Sequence, residues 1–194
     1  MTERVILDLC GGTGGWSKPY RDAGYRVIVV DVDPAIRPDV LSSVVDYCPP
    51  PNVHGVLVAP PCTEFSGSGA RWWASKPPEL LHGAKELVRA CMRIISESHP
   101  TWWCLENPVG RLPRMVPELG KWVCTFQPYE YGDPWQKRTC LWGEFTAPTK
   151  SPVPLPDDPA LANRIAWIGP GPDRARLRSV TPPGFARAFF EANQ

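Results

Sequence analysis

The chain has 194 residues, with 21 lysines and arginines against 20 aspartates and glutamates and a formal net charge of +1. That length suits one domain with a substantial core, and so even a balance excludes a global field that would draw the protein onto nucleic acid by charge alone. Seven cysteines, at 10, 48, 62, 91, 104, 124 and 140, are odd in number and never in CxxC spacing, which argues for reduced thiols in a cytoplasmic protein and against a disulfide scaffold or a metal site.

No apolar run approaches membrane-spanning length, and the start of the chain lacks a cationic region followed by an apolar one. Residues 4–9 (RVILDL) predict a short buried strand. It runs into Cys10-Gly11-Gly12-Thr13-Gly14-Gly15, a glycine-rich turn. Residues 16–24 can begin a helix that Pro19 confines to about its first turn. Residues 25–30 (YRVIVV) predict a second strand ending at Asp31-Val32-Asp33. Strand, glycine turn, helix, strand and acid together predict the opening of a Rossmann-like unit. Glycines let a backbone approach a ligand closely, and Asp31 is placed to accept hydrogen bonds from two ribose hydroxyls. The spacing DxxxGxGG is not the dinucleotide form. Asp8 would repel a pyrophosphate and suits a nucleoside bearing a positive sulfonium.

Residues 40–45 predict a third strand ending at Asp46, an acid that could reach an adenine amino group. Residues 54–59 predict a fourth, halted by Pro60-Pro61 and followed at once by Cys62. Two consecutive prolines fix φ and remove two backbone donors, so the strand stops and the thiol is presented from a stiff loop. Residues 66–73 (SGSGARWW) read as a flexible loop able to close over a substrate. Residues 79–98 predict the longest helix, with Leu80, Leu81, Ala84, Leu87, Val88, Cys91, Ile94 and Ile95 as its core stripe. Residues 101–105 predict a fifth strand that delivers Glu106-Asn107-Pro108 to the same sheet edge as Cys62. Residues 123–128 and 136–143 predict further strands, the latter with a basic start. Residues 147–172 read as mostly irregular, Arg164, Arg174, Arg176 and Arg178 form a small basic cluster, and residues 182–193 predict a closing helix with Phe185, Ala188 and Phe189 facing inward. Most of the 25 prolines lie after residue 107, which predicts a loop-rich second half.

These motifs, in this order, resemble the catalytic domain of the DNA cytosine-5 methyltransferases. Residues 8–17 (DLCGGTGGWS) are similar to the family's DLFCGxGGFS, and Asp31-Val32-Asp33 stands where the family has an acid-x-Asp. Asp46 resembles the acid of its third motif, and residues 60–66 (PPCTEFS) are similar to PPCQxFS. Glu106-Asn107 matches ENV with Pro108 for Val. Gln136-Lys137-Arg138 resembles QxRxR with Cys140 in place of the second Arg, and residues 178–182 (RSVTP) resemble RxLTP. Only about 35 residues separate the two late motifs, too few for a separate target recognition domain. The family's final motif, a usual wall of the cofactor pocket, has no counterpart.

The resemblance implies an α/β fold of the Rossmann-like class I S-adenosylmethionine-dependent methyltransferases, a mostly parallel sheet with flanking helices. It implies a single catalytic domain over 1–194, with 1–108 carrying the cofactor and the nucleophile and 109–194 a loop-rich half with a reduced target-recognition region. The implied reaction transfers a methyl group from S-adenosylmethionine to cytosine C5 through a Cys62–C6 adduct. Cys62 is then the nucleophile, Glu106 the acid at N3 and Arg138 a cation at the ring oxygen. Asp8, Gly12, Thr13, Gly14, Trp16, Asp31, Val32, Asp46 and Pro60 would line the cofactor, and Ser66, Arg71, Asn107, Gln136 and Arg178 the substrate. DNA is the expected partner, its base extruded from the duplex with Trp72 or Trp73 filling the gap. Two alternatives stand beside this reading: a methyltransferase acting on RNA or a free nucleotide, and a non-catalytic nucleic-acid-binding relative. An amino-methyltransferase fits less well, since its proline-proline-aromatic signature meets Cys62 here and its chemistry has no use for a thiolate.

Overall fold

A computed structural model describes residues 4–171 and 174–194. The chain opens with β1 (Val5–Leu9), all five residues buried. Side chains alternate across a strand, so β1 feeds two cores: Val5, Leu7 and Leu9 join one, and Ile6 the other. A short α1 (Lys18–Asp22) carries Pro19 in its first turn. β2 (Arg26–Asp31), β3 (Val40–Leu41) and β4 (Val53–Val58) follow. The predicted third strand thus shrinks to two residues, because beyond Leu41 the chain bends into a turn closed by the Asp46 amide on the Ser43 carbonyl.

The long helix is α2 (Pro78–Ser98). Pro78 sits at its first position, and His99, at φ 44°, ends it in the left-handed region before Pro100. Val88, Cys91 and Ile94 are fully buried against the sheet, but Leu80 on the first turn is 53% exposed, so the expected stripe begins one residue later. β5 (Trp102–Pro108) runs past the predicted Leu105 and takes Glu106 and Asn107 into the strand, since an antiparallel partner continues to pair with it. α3 (Leu112–Met115), β6 (Cys124–Phe126), β7 (Thr139–Glu144), α4 (Pro159–Ala162), α5 (Arg174–Ser179) and α6 (Pro183–Ala192) complete the chain. The irregular stretch over 147–172 is interrupted by α4, and its final residue, Pro172, lies outside the described residues. On α6, Ala186 is buried with Phe185 and Phe189, while Ala188 is only half-buried.

Among the described residues seven strands form one sheet in the order β3-β2-β1-β4-β5-β7-β6. The pairs from β3 to β5 are parallel, and β7 alone runs against its neighbours. This is a mixed α/β fold with a mostly parallel sheet, as expected. α2 covers one face. α1 and α6 cover the other, where Trp16 packs on Phe185 and Phe189 with ring centroids 5.9 and 5.4 Å apart. None of the seven cysteines forms a disulfide.

Candidate active site

Strand order reverses at β1. The chain builds outward through β2 and β3, then returns to lay β4 on the other side of β1. In open α/β sheets the crevice beyond the carboxyl ends at such a switch point is where ligands bind. The register fixes what stands there. Val30, Leu9, Val58 and Leu105 lie side by side across four strands, so the next residues to emerge are Asp31, Cys10, Ala59 and Glu106.

The turn after β1 is held in a conformation few residues adopt. Cys10, Gly12 and Gly14 have φ of 55°, 52° and 68°, the left-handed region that glycine enters freely. A Cβ at Gly12 would meet nothing within 4 Å, so its surface is open toward a ligand. Asp31 braces the turn, accepting from the Gly12 amide at 3.0 Å through one oxygen and from the Asp33 amide at 3.0 Å through the other. Asp8 lies behind it, 1% exposed. Ser17 Oγ donates to one of its oxygens at 2.5 Å, and the other oxygen is buried without a partner. Burial, and to a lesser degree the Asp31 charge, push the Asp8 carboxyl up to about 6 against the pull of the Ser17 hydrogen bond. Two carboxylates and an open glycine turn make a cradle for hydroxyls and positive charge.

The loop after β4 is equally constrained. The Cys62 carbonyl accepts from the Phe65 and Ser66 amides at 2.9 and 2.8 Å. Asn107 Nδ2 donates to the Pro60 carbonyl at 3.0 Å, which ties the Cys62 loop to the strand that carries Glu106. Arg111 donates through Nε to the Glu64 carbonyl and through its amide to the Phe65 carbonyl, both at 2.8 Å, and lies 4.4 Å from the centre of the Trp73 ring. Lys76 closes the loop from the far side on Glu64 Oε1 at 2.8 Å. Gly110 is needed where these loops meet, because a Cβ there would overlap the Phe65 carbonyl oxygen. We expect Gly110→Ala to destabilise the fold by about 1–3 kcal/mol and to shift the Cys62 loop; a lowered melting temperature with a changed thiol alkylation rate checks this.

Cys62 and Glu106 are both half-buried, and the Glu106 charge bears on the Cys62 thiol. Burial, then the Glu106 anion, push the Cys62 thiol up, while Lys137 and Arg178 pull it down. Burial pushes the Glu106 carboxyl up, and Lys137 opposes that shift. Lys137 is therefore a cation whose charge reaches both groups. It lies two residues before Thr139, the first residue of β7, which pairs with Pro108 of β5. Its amide donates to Gln127 Oε1 at 2.9 Å, and its carbonyl accepts from Thr139 Oγ1 at 3.0 Å.

The structure brings Asp8, Gly12, Gly14 and Asp31 together at one end of the crevice and Cys62 and Glu106 at the other. Thr13, Val32 and Asp46 are exposed on the neighbouring turns, Val32 at 64%. Other expected contacts stand elsewhere. Trp16 is 2% exposed and belongs to the core beneath the cradle, and Asn107 is fully buried as a brace between loops, its carbonyl oxygen without a partner. Pro60 is buried and gives its carbonyl to that brace. Arg138 is exposed, and its charge pulls down the Cys140 thiol, which burial pushes up. Gln136 is half-buried, its amide donating to the Ala162 carbonyl at 2.8 Å. Ser66 Oγ shares a hydrogen bond with Ser68 Oγ at 3.0 Å. Arg71 lies 5.1 Å from the centre of the Trp72 ring, and Arg178 donates to the Ile165 carbonyl at 3.1 Å and to Ser68 Oγ at 3.5 Å. Sequence reasoning missed Lys137, Arg111 and Lys76. For Lys137 the only available signal was its position beside Arg138 in one basic run.

Among the described residues no cluster of His, Cys, Asp and Glu is placed to hold a metal, and no helix is long and apolar enough to cross a membrane.

No protein-family model and no curated protein matches the chain. Solved structures do. A structure described as a candidate DNA modification methyltransferase encoded within a prophage of E. coli is 18% identical, with a TM-score of 0.52, over 80% of this chain and 56% of its own. The chain thus spans little more than half the length of that neighbour, and what the two share is a fold. A Thermoplasma acidophilum protein is a looser match, 13% identical with a TM-score of 0.45 over 73% of this chain and 78% of its own.

Proposed function

We propose that the chain is an S-adenosylmethionine-dependent DNA cytosine-5 methyltransferase with a class I Rossmann-like fold. The observation that carries this reading is the pairing, beside the switch point of the sheet, of a thiol on a proline-stiffened loop with a half-buried carboxyl on the next strand. Fold likeness to a structure described as a DNA modification methyltransferase supports it, as does the ordered set of sequence motifs.

The cradle fits the cofactor: Asp31 for the ribose hydroxyls, the open backbone at Gly12 and Gly14 for close approach, and the unpartnered oxygen of Asp8 as a counter-charge. Val32 and Asp46 would flank the adenine. When bound, S-adenosylmethionine supplies an electrophilic methyl on a sulfonium. A cation there favours ionised Asp8. Affinity is therefore expected to fall as pH drops through about 6, where Asp8 takes up a proton. Calorimetric titration at several pH values checks the sign, and Asp8→Asn should bind weakly with a flattened pH dependence.

The remaining chemistry belongs to the chain. Cytosine C5 is a poor nucleophile while the ring is aromatic. The Cys62 thiolate adds to C6, the ring electrons move toward N3, and C5 becomes enamine-like. Glu106, whose burial makes it hold its proton more tightly than an exposed glutamate, donates to N3 as charge develops there. Protonated Glu106 also stops raising the thiol, so a neutral Glu106 beside a Cys62 thiolate is the reactive pair. Lys137 steadies the thiolate. After transfer, the C5 proton passes to solvent water as Cys62 departs as a thiolate, which restores aromaticity, and N3 returns its proton to Glu106.

The direct test incubates the protein with S-adenosylmethionine and unmodified DNA, then digests the DNA to nucleosides for mass spectrometry. Appearance of 5-methyldeoxycytidine supports the reading. Its absence from both duplex and single-stranded DNA, with product on RNA or nucleotide instead, would replace the substrate; no product on any of them would replace the activity.

A further inference from the structure

Two walls meet at Arg178, whose charge reaches the Cys62 thiol. One is the 3-10 segment Gly67–Ser75 that follows the Cys62 loop. The other is built from α4, the turn after it and α5. Arg178 joins them, reaching Ser68 Oγ at 3.5 Å on the first wall and the Ile165 carbonyl at 3.1 Å on the second. The second wall is anchored to the approach of β7 by the Gln136 amide on the Ala162 carbonyl at 2.8 Å, and by Arg164, 3.6 Å from the centre of the Trp135 ring.

Each wall turns a large indole outward. Trp72 is 56% exposed and Trp167 is 62% exposed. A single exposed aromatic on a soluble protein needs no explanation. Two on segments that one arginine, Arg178, ties together beside Cys62 do. Arg71 lies 5.1 Å from the centre of the Trp72 ring, and Arg178 stands between the walls. Cation and indole side by side match a polyanion whose bases offer flat faces. A duplex does not offer them: its base faces are stacked on one another, and only edges reach the grooves. A duplex reader also inserts a helix or ribbon into a groove, whereas the second wall holds only α4, of four residues, and α5, of six.

We propose that the substrate is an unpaired DNA strand lying between these walls, with bases that flank the target cytosine stacked on Trp72 and Trp167 and phosphates held by Arg71 and Arg178. This rests on the methyltransferase reading for the identity of the target base only. Stacking accepts any base, so such a strand is gripped with little sequence preference. An unpaired target also escapes the cost of extrusion from a helix.

Fluorescence anisotropy with a labelled single-stranded oligodeoxynucleotide, its blunt duplex and an RNA of the same sequence tests the proposal at fixed salt. The DNA strand is expected to bind at least about tenfold more tightly than the duplex. Trp167→Ala and Trp72→Ala are each expected to weaken strand binding about 5- to 150-fold, the range for losing one base–aromatic stack, without changing its salt dependence. Trp167→Phe should restore most of the loss. Arg71→Ala should instead lower the slope of log affinity against log salt by about one. Unchanged alkylation of Cys62 in each variant excludes misfolding. Equal or tighter binding of the duplex or the RNA, or tryptophan variants that bind like the unsubstituted protein, would overturn the proposal. Binding is read without methyl transfer, so failure of the methylation assay leaves this test intact, and failure here leaves the activity untouched.

Discussion

Replacing Cys62 with alanine is expected to lower methyl transfer by at least about four orders of magnitude, because without a nucleophile at C6 the ring keeps its aromaticity and nothing else in the crevice can activate C5. Binding should survive. The loop is held by the Cys62 carbonyl, the Pro60 carbonyl and the Arg111 contacts rather than by the sulfur. A trapping experiment separates the two effects. In DNA carrying 5-fluorodeoxycytidine, fluorine occupies the place of the proton that must leave C5, so the Cys62–C6 bond cannot be released after transfer. The unsubstituted protein should yield a complex stable to denaturant that requires S-adenosylmethionine, and Cys62→Ala should yield none. A covalent complex formed by the alanine variant would remove Cys62 from the nucleophile's role.

Glu106→Gln should lower methyl transfer about 10²- to 10⁴-fold, the usual contribution of a positioned proton donor. Its effect on the thiol should have the opposite sign. The Glu106 charge raises the Cys62 thiol; removing that charge lowers it, so at neutral pH more thiolate is present and alkylation by iodoacetamide should speed up. Lys137→Ala works in the other direction, since the lysine pulls the thiol down: alkylation should slow at neutral pH, its profile should move to higher pH, and Lys137→Arg should restore it. A glutamine variant that is slower in both assays would mean that Glu106 holds the loop and does not couple to the thiol. The same cation bears on Glu106, so the lysine and glutamate variants should not be additive in either assay.

Much of this arrangement is legible in the residues. The strand that ends at Cys62 is announced by an apolar run cut off by Pro60 and Pro61. The glycine turn after β1 and the acid at the end of β2 follow from glycines and an Asp whose roles are set by backbone geometry within about 20 residues. The core stripe of α2 follows from its period, apart from Leu80 at the exposed first turn. Such features are local: φ restrictions, missing donors and apolar periodicity act on the chain wherever it lies, so sequence alone determined the sheet's parallel half, the thiol loop and the acids around them.

The tertiary structure decided what depends on partners far along the chain. β5 reaches Pro108 only because β7, more than 30 residues later, pairs with it antiparallel. Lys137 and Arg138 are adjacent in one basic run, yet the Lys137 charge reaches Cys62 and Glu106 while that of Arg138 bears on Cys140. Trp16 became a core residue because α6, from the other end of the chain, packs Phe185 and Phe189 against it. Asn107 became a brace because the Pro60 carbonyl comes within 3.0 Å of it. The residue types that chemistry requires were written locally, whereas the direction each side chain faces, and therefore the charge it feels, was set by contacts between segments that sequence order keeps apart.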